Sequence, residues 1–205
     1  MPRPPSLTLI VAAAYPSLGI GSKGVLPWRL KQEMAYFARV TTRTPAVPAT
    51  DAPLVYPPPV QNAVIMGRKT WASLPPRFRP LKDRINVVLS RQTPPVETSD
   101  TIWVQSLEGA LRVLAGRQGV GTVFVIGGAE VYRSALGMGA TERVLLTKVY
   151  GEWGCDVFFP VDLEREGGWR RRSREEMSAF VGEEVGGRVR EGDVEFECCM
   201  FERVE

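Results

Sequence analysis

Gly19-Ile20-Gly21-Ser22-Lys23-Gly24-Val25-Leu26-Pro27-Trp28 runs directly into a helical pattern that extends from Arg29 to about Val40. On a 3.6-residue period Leu30, Glu33, Phe37 and Val40 fall on one stripe with Met34 beside it, so a carboxylate sits in the middle of an apolar helix face. A carboxylate taken out of water binds its proton more tightly, or keeps its charge by finding a cation or an amide-like pair of donors. On an isolated helix the same residue would lean off the stripe into solvent, as charged side chains usually do. The segment before it favours burial. Gly19, Gly21 and Gly24 give a mobile loop, and Pro27 fixes the backbone ahead of Trp28 at the helix start. A flexible cover leading into a buried acid is the construction of a lid over a site.

Upstream, Leu7-Thr8-Leu9-Ile10-Val11-Ala12-Ala13-Ala14 is a nearly continuous apolar run, which predicts a central strand buried on both faces. Downstream, Thr44 to Gln61 holds six prolines, three of them consecutive. Such a run favours extended conformation, and the expectation is a proline-rich surface insertion at about 44–61 within one domain spanning 1–205. Ala63-Val64-Ile65-Met66 is the next buried strand, closing on Gly67-Arg68-Lys69-Thr70. Asn62 stands where a phosphate-binding loop would need its first glycine, and Arg68 intervenes before the lysine, so that motif is rejected. The better reading is a helix N-terminus after a strand, where backbone N–H groups and two cations meet a phosphate. Ile85-Asn86-Val87-Val88-Leu89-Ser90-Arg91 repeats the pattern of strand, hydroxyl and arginine.

Arg84 directly precedes that strand, which holds its guanidinium at the rim of the core, where it can grip a carboxylate through two parallel hydrogen bonds. Ile102-Trp103-Val104 reads as a strand, and Ser106 caps a helix reaching Ala115. Thr122-Val123-Phe124-Val125-Ile126-Gly127-Gly128 reads as a strand closing on paired glycines, with a helix from Ala129 to Leu136 beyond. The common dinucleotide fingerprint is absent, yet paired glycines let the backbone approach a ligand ahead of another positive helix end. Arg143 to Val149 is a further strand. The stretch from Val194 to Phe201 alternates, as an antiparallel strand at a sheet edge does. Strands alternating with helices and ending in a hairpin predict an α/β fold: a mostly parallel central sheet flanked by helices, with an antiparallel C-terminal hairpin edge.

The chain of 205 residues is 44% hydrophobic and 24% charged, ordinary values for a globular protein. It has no apolar run long enough to span a membrane and no signal-peptide core at its start, so a cytoplasmic protein is expected. Cys155, Cys198 and Cys199 have neither disulfide-framework nor zinc-ligand spacing. Residues 1–91 carry 13 Lys and Arg against 3 Asp and Glu, whereas the remainder carries 13 against 20. A basic half points to a polyanionic partner. With the cations spread among apolar strands and turns, a small polyphosphate and an anionic substrate fit better than nucleic acid. The run Arg170-Arg171-Arg172-Ser173-Arg174, flanked by Glu175 and Glu176, reads as a solvated strand face. There is no histidine, so proton transfer falls to a carboxylate, a tyrosine or water.

Ile10-Val11-Ala12, Gly19-Ile20-Gly21, Leu26-Pro27-Trp28, Glu33 to Phe37, Val64 to Trp71, Arg84-Ile85-Asn86 and Ile126-Gly127-Gly128 together resemble, in order and spacing, the dihydrofolate reductases of the eukaryotic, fungal type. The resemblance runs from about Leu7 to Arg203. It implies reduction of 7,8-dihydrofolate to tetrahydrofolate with NADPH, by hydride transfer to C6 and protonation of N5. On the catalytic side it implies Glu33, Trp28, Leu26, Thr147 and Tyr132. Glu33 would grip the pterin 2-amino and N3 positions together with Thr147, and either pass the proton itself or orient a water. Tyr132 would reach the nicotinamide, or it is a core tyrosine.

For the substrate the resemblance implies Ile10 and Val11 beside the pterin, Met34 and Phe37 on one side of the aminobenzoyl ring, and Leu74, Pro75 and Leu81 on the other. Ile126 joins them, and Arg84 takes the carboxylate of the glutamate tail. For NADPH it implies Ala12, Ile20, Gly67, Arg68, Lys69, Thr70, Leu89, Ser90 and Arg91, then Gly127, Gly128, Ala129, Glu130, Val131 and Tyr132. Arg68, Lys69, Thr70, Ser90 and Arg91 would clamp the 2′-phosphate, and a cis peptide would join Gly127 to Gly128. No metal, membrane or nucleic acid is called for, and a monomer is expected. The chain departs from the commoner pattern at Val25, at Met34 and by one added residue between Ala13 and Ser17. The alternatives are the NADPH reductase of riboflavin synthesis, whose substrate offers nothing for Glu33 and Arg84 to hold, and a non-catalytic NADPH-binding module.

Overall fold

Strands that are apolar on both faces need a layer of helices on each side, and the chain supplies both layers in turn. The computed structural model describes residues 5–44, 60–92 and 101–204; the insertion expected at about 44–61 therefore lies, apart from its ends, outside the described residues. The first elements are β1 (Leu7–Tyr15), β2 (Gly19–Gly21), α1 (Lys31–Thr42), β3 (Gln61–Gly67), α2 (Arg68–Ser73), a 3-10 turn at Pro76–Phe78, β4 (Ile85–Leu89), β5 (Thr101–Val104) and α3 (Leu107–Ala115). They are followed by β6 (Val120–Val125), α4 (Ala129–Leu136), β7 (Thr141–Tyr150), β8 (Val157–Phe158), β9 (Trp169–Arg171), α5 (Arg174–Val181), β10 (Val189–Glu191) and β11 (Val194–Arg203).

One sheet runs in the order β10-β11-β7-β1-β6-β3-β4-β5, with β9 also alongside β11, while β2 and β8 form a small separate pair. From β7 to β5 every pairing is parallel. β11 is antiparallel to β7, β9 and β10. This is the expected α/β sheet with an antiparallel hairpin at one side. Along β1 the side chains divide strictly: Leu7, Leu9, Val11 and Ala13 pack with α3 and α4, through Leu107, Leu111, Leu114 and Ala135. Ile10 packs on the opposite side with α1 and α5, through Tyr36, Val40, Met177 and Val181.

Two expectations change. The C-terminal strand is not the sheet edge, because β9 and β10 flank it. Phe201 and Cys199 are buried in one layer and Met200 in the other, so the alternation in its sequence does not mark a solvent face. The helix carrying Glu33 is displaced by two residues, to Lys31–Thr42. Leu30 keeps an extended backbone (φ −113°, ψ 110°), and the far end is prolonged by the Thr41 and Thr42 hydroxyls, which donate to the Phe37 and Ala38 carbonyls at 2.7 and 2.8 Å.

Two of the four arginines in the run at β9 are paired within the fold, while Arg170 and Arg174 are exposed. Arg171 pairs with Glu197 at 2.6 Å and Glu164 at 3.5 Å, and Arg172 pairs with Glu202 and Glu176. Beneath it Lys148, 3% exposed, bonds Glu164 at 2.6 Å and lies over the Tyr15 ring. A buried cation persists only with such a partner, and this pair fastens the segment between β8 and β9 to the sheet.

Asn62, wholly buried in β3, joins three elements. Its amide donates to the Thr41 and Arg43 carbonyls at the end of α1, and its Oδ1 accepts from Thr122 N–H of β6 at 2.9 Å. Truncation would strand those backbone groups, each costing about 1–3 kcal/mol. Asn62→Ala is expected to lower unfolding stability by about 3 kcal/mol or more in urea titration. A loss below about 1 kcal/mol would mean that water replaces the amide.

Candidate active site

The parallel strands β1, β3, β4 and β6 all end on the same side, and in open α/β sheets that is where a crevice for ligands forms. Glu33 lies near these strand ends, beside Thr147 of β7. As the third residue of α1 it is 6% exposed, with Leu30 at 2% and Val40 at 4% along the same stripe. Burial raises its carboxyl from the ordinary 4.5 to about 7; the Thr147 hydroxyl opposes the rise and the negative charge of Glu191 adds to it. Thr147 lies in register with Ala12 of β1 on one side and Cys198 of β11 on the other, its Oγ1 3.7 Å from the Cys198 Sγ. Near neutral pH this acid is poised between its charged and neutral forms.

Around it the structure gathers several of the sequence-predicted apolar residues and separates others. Ile10, Phe37, Leu74, Leu81 and Ile126 share one packed cluster with Tyr36, Val64 and Met66. Val11 points into the opposite layer, as the successor of Ile10 on a strand must. Met34 (49%), Leu26 (44%) and Val25 (62%) are exposed, and so is Pro75. The expected glycine-rich loop is in part a strand. Gly19 and Gly21 pair with Phe158 and Val157, Ser22 and Val25 exchange backbone hydrogen bonds at 2.9 and 3.1 Å, and Lys23 N–H donates to Asp156 Oδ2 at 2.9 Å. Ile20 lies half-buried in this pair. Behind it Trp28 packs edge-on against Trp153, and its buried indole N–H has no hydrogen-bond partner among the described residues.

The glycine corner is built around Tyr132. This tyrosine is 4% exposed, donates its hydroxyl to the Ile10 carbonyl at 2.8 Å and packs edge-on against Phe159. Its ring lies under Gly127, which has φ +108°, and a Cβ there would meet the ring at 3.0 Å. Only glycine suits both conditions. Gly127 and Gly128 are joined by a cis peptide, Gly67 N–H donates to the Gly127 carbonyl at 2.8 Å, and a Cβ at Gly67 would approach Val131 at 3.2 Å. Ala129, Glu130 and Val131 form the first turn of α4, and Arg68, Lys69 and Thr70 that of α2. Arg68, Lys69 and Arg91 are exposed, whereas Thr70, Leu89 and Ser90 are half-buried. The Ser90 hydroxyl donates to the Gln92 carbonyl at 3.0 Å and accepts from Gln92 N–H at 3.1 Å, so the turn after β4 is fixed by its own side chain.

Arg84 donates through Nε to the Lys82 carbonyl at 2.9 Å and through one terminal nitrogen to Thr41 Oγ1 at 2.7 Å. Partial burial lowers its proton affinity. Its second terminal nitrogen makes no hydrogen bond or ion pair among the described residues, which leaves the outer edge of the fork for a carboxylate. What holds Arg84 there was missed in the sequence. Asn86, buried in β4, accepts from Leu81 N–H and donates to the Leu81 and Arg84 carbonyls at 2.8–2.9 Å. An asparagine inside an apolar strand was the available signal.

Near the carboxyl ends of the parallel strands the chain brings together the buried acid of α1, Thr147 of β7 and the glycine corner after β6, and α/β proteins with an open parallel sheet are a class that binds small ligands beyond those strand ends. The dihydrofolate reductase family model matches residues 59–184. The chain is 38% identical to the dihydrofolate reductase of Pneumocystis carinii, with 97% of each chain covered. It is equally close to that of Candida albicans, covering 97% of this chain and 98% of the relative. The solved dihydrofolate reductase of Schistosoma mansoni superposes with a TM-score of 0.75 at 31% identity, over 98% of this chain and 99% of that one. The chain belongs to the dihydrofolate reductase family.

The raised Glu33 carboxyl has a cost in the ligand-free protein. A group held at about 7 when folded and 4.5 when unfolded stabilises the fold fully below 4.5, and that stability is lost as pH rises through about 7. Glu33→Gln keeps the shape and removes the charge. At pH 8 it is expected to be more stable than the natural chain by about 3 kcal/mol, the gap closing as pH falls to 4.5. Urea midpoints at a series of pH values read this directly, and equal stability at pH 8 would mean a hydrated carboxylate.

Proposed function

We propose that this chain reduces 7,8-dihydrofolate to tetrahydrofolate with NADPH, as one domain working as a monomer in the cytoplasm. The observation that carries the reading is the buried carboxylate of Glu33 beside Thr147, which lies in register with Ala12 of β1. A neutral apolar ligand gives such an acid nothing to do. A pterin offers adjacent N–H groups that a carboxylate accepts in pairs, and a glutamate tail for the free edge of Arg84. The riboflavin-pathway substrate offers neither. No described helix is long and apolar enough to cross a membrane.

The glycine corner fits a dinucleotide. The Gly127–Gly128 backbone, buried at Gly127 and half-buried at Gly128, lies between Tyr132 and Gly67, the first turns of α2 and α4 present N–H groups, and Arg68, Lys69 and Arg91 supply exposed cations for phosphate. Bound there, NADPH supplies the hydride. The protein's own part is positioning and proton supply. Glu33 and Thr147 fix the pterin, and Phe37, Leu74 and Leu81 give an apolar wall for the aminobenzoyl ring. Arg84 holds the far carboxylate, so rotation about the long axis of the substrate is stopped at both ends. Glu33, its carboxyl raised by burial to about 7, either passes a proton to N5 itself or orients a water that does. The β2–β8 pair with its Ser22–Val25 turn covers this end and limits solvent entry.

Turnover followed by loss of NADPH absorbance on adding dihydrofolate is expected to fall as pH rises through about 7, where Glu33 loses its proton. Glu33→Gln should lower turnover at least roughly a hundredfold and leave NADPH affinity, read by fluorescence quenching, within about twofold. Turnover unchanged in that variant would remove Glu33 from the reaction. Arg91→Ala should weaken the preference for NADPH over NADH roughly tenfold. An unaltered preference would count against the 2′-phosphate clamp.

A further inference from the structure

Helix α1 begins without a cap of its own. Its N-cap residue, Leu30, has no side-chain acceptor to offer, and the first amides of a helix need partners. They find them far along the chain: Lys31 N–H donates to Glu191 Oε1 at 2.7 Å and Gln32 N–H to Glu191 Oε2 at 2.9 Å. Glu191 lies on β10, paired with β11, the same strand that brings Cys198 against Thr147. The hairpin thus touches both sides of Glu33, its helix above and its hydroxyl partner below.

Glu33 is the third residue of α1, the position from which a glutamate ordinarily turns back to its own helix N-terminus. Helix α5 shows that behaviour in the same molecule. Its third residue, Glu176, accepts from Ser173 N–H at 2.9 Å while Ser173 caps in return, and Glu176 is exposed. Glu33 does the opposite. It is buried on the cleft wall, and no backbone N–H is bonded to its carboxylate among the described residues.

We propose that Glu191 is a positioning residue for Glu33: by occupying the positive end of α1 it seats the helix and leaves the Glu33 carboxylate turned to the cleft. The inference rests on reading Glu33 as the ligand-facing acid. Two effects act in the same sense. The Glu191 charge compensates the helix dipole that would otherwise favour ionised Glu33, and it repels a second negative charge close by. The groups that face Glu33 or its immediate neighbours are Tyr36 of α1, Thr147 of β7, Cys198 of β11, Tyr132 of α4, Glu183 beyond α5 and Glu191. The cation beside this set is Arg39 of α1, which faces Tyr36 and is paired with Glu183 at 2.7 Å. With Glu183 held by Arg39, Glu191 is the charge that acts on Glu33 directly among the described residues, and removing it favours the ionised form.

The test is carboxyl NMR on the ligand-free protein labelled with ¹³C-glutamate, Glu33 being identified by the resonance missing in Glu33→Gln. In Glu191→Gln, where the amide oxygen still accepts a backbone N–H, the Glu33 titration midpoint is expected to fall by about half a pH unit or more. In Glu191→Ala, kcat/KM for dihydrofolate is expected to fall roughly tenfold, and Glu191→Gln should recover most of that loss. A Glu33 midpoint unmoved in Glu191→Gln, or Glu191→Ala that lowers Tm with kcat/KM intact, would reduce Glu191 to a cap and overturn the proposal. Should Glu191→Ala fail to fold, the midpoint in Glu191→Gln decides alone. The midpoint needs no ligand, so this test and the turnover of Glu33→Gln, which tests the proposed reaction, fail separately.

Discussion

Burying one carboxylate on an apolar helix face is the constraint to which the rest of the site answers. A free carboxylate at 6% exposure is unfavourable, and among the described residues no cation neutralises it and no backbone N–H group is bonded to it. It supplies one hydroxyl, from Thr147, and otherwise leaves the group to bind its proton near neutrality. That unsatisfied state is held against the protein's own stability. It requires a helix that cannot rotate or fray, which is why the ends of α1 are tied down from elsewhere: Glu191 at the start, Asn62 at the finish.

The sheet makes such ties possible. β1 lies between β7 and β6 with apolar side chains on both faces, so every neighbouring strand end is fixed relative to the acid. Tyr132 turns a core position into a link with the site. Its hydroxyl holds the Ile10 carbonyl and its ring supports Gly127 from beneath, so the wall of the substrate cleft and the glycine corner share one side chain. Arg84 is connected in the same way. Its hydrogen bond to Thr41 joins it to the far end of the helix that carries Glu33, and the two groups assigned to opposite ends of the substrate are set at a fixed spacing by α1 itself.

The layout of parallel strands and helices was legible in the sequence because apolar runs, glycine pairs and caps are local signals. Ser106 capping α3 and the strand at Leu7 needed nothing beyond near neighbours. The acid on the apolar stripe was legible for the same reason. The exact start of α1 was not, since Leu30 remains extended while a remote carboxylate takes the first amides. Nor was the interior position of β11, whose alternating sequence fits an edge strand until β9, β10 and α5 are placed around it.

By itself, then, the sequence determined which residues are the candidates for the chemistry: an acid amid apolar neighbours, paired glycines after a strand, an arginine before one. These are properties of residue type and short spacing. Tertiary structure alone decided how those residues are held. Glu191 reaches α1 from 160 residues away, Asn62 meets Thr122 across 60, and Thr147 meets Cys198 across 51. Such partnerships follow from sheet order and register, and neither is encoded by any residue together with its neighbours along the chain.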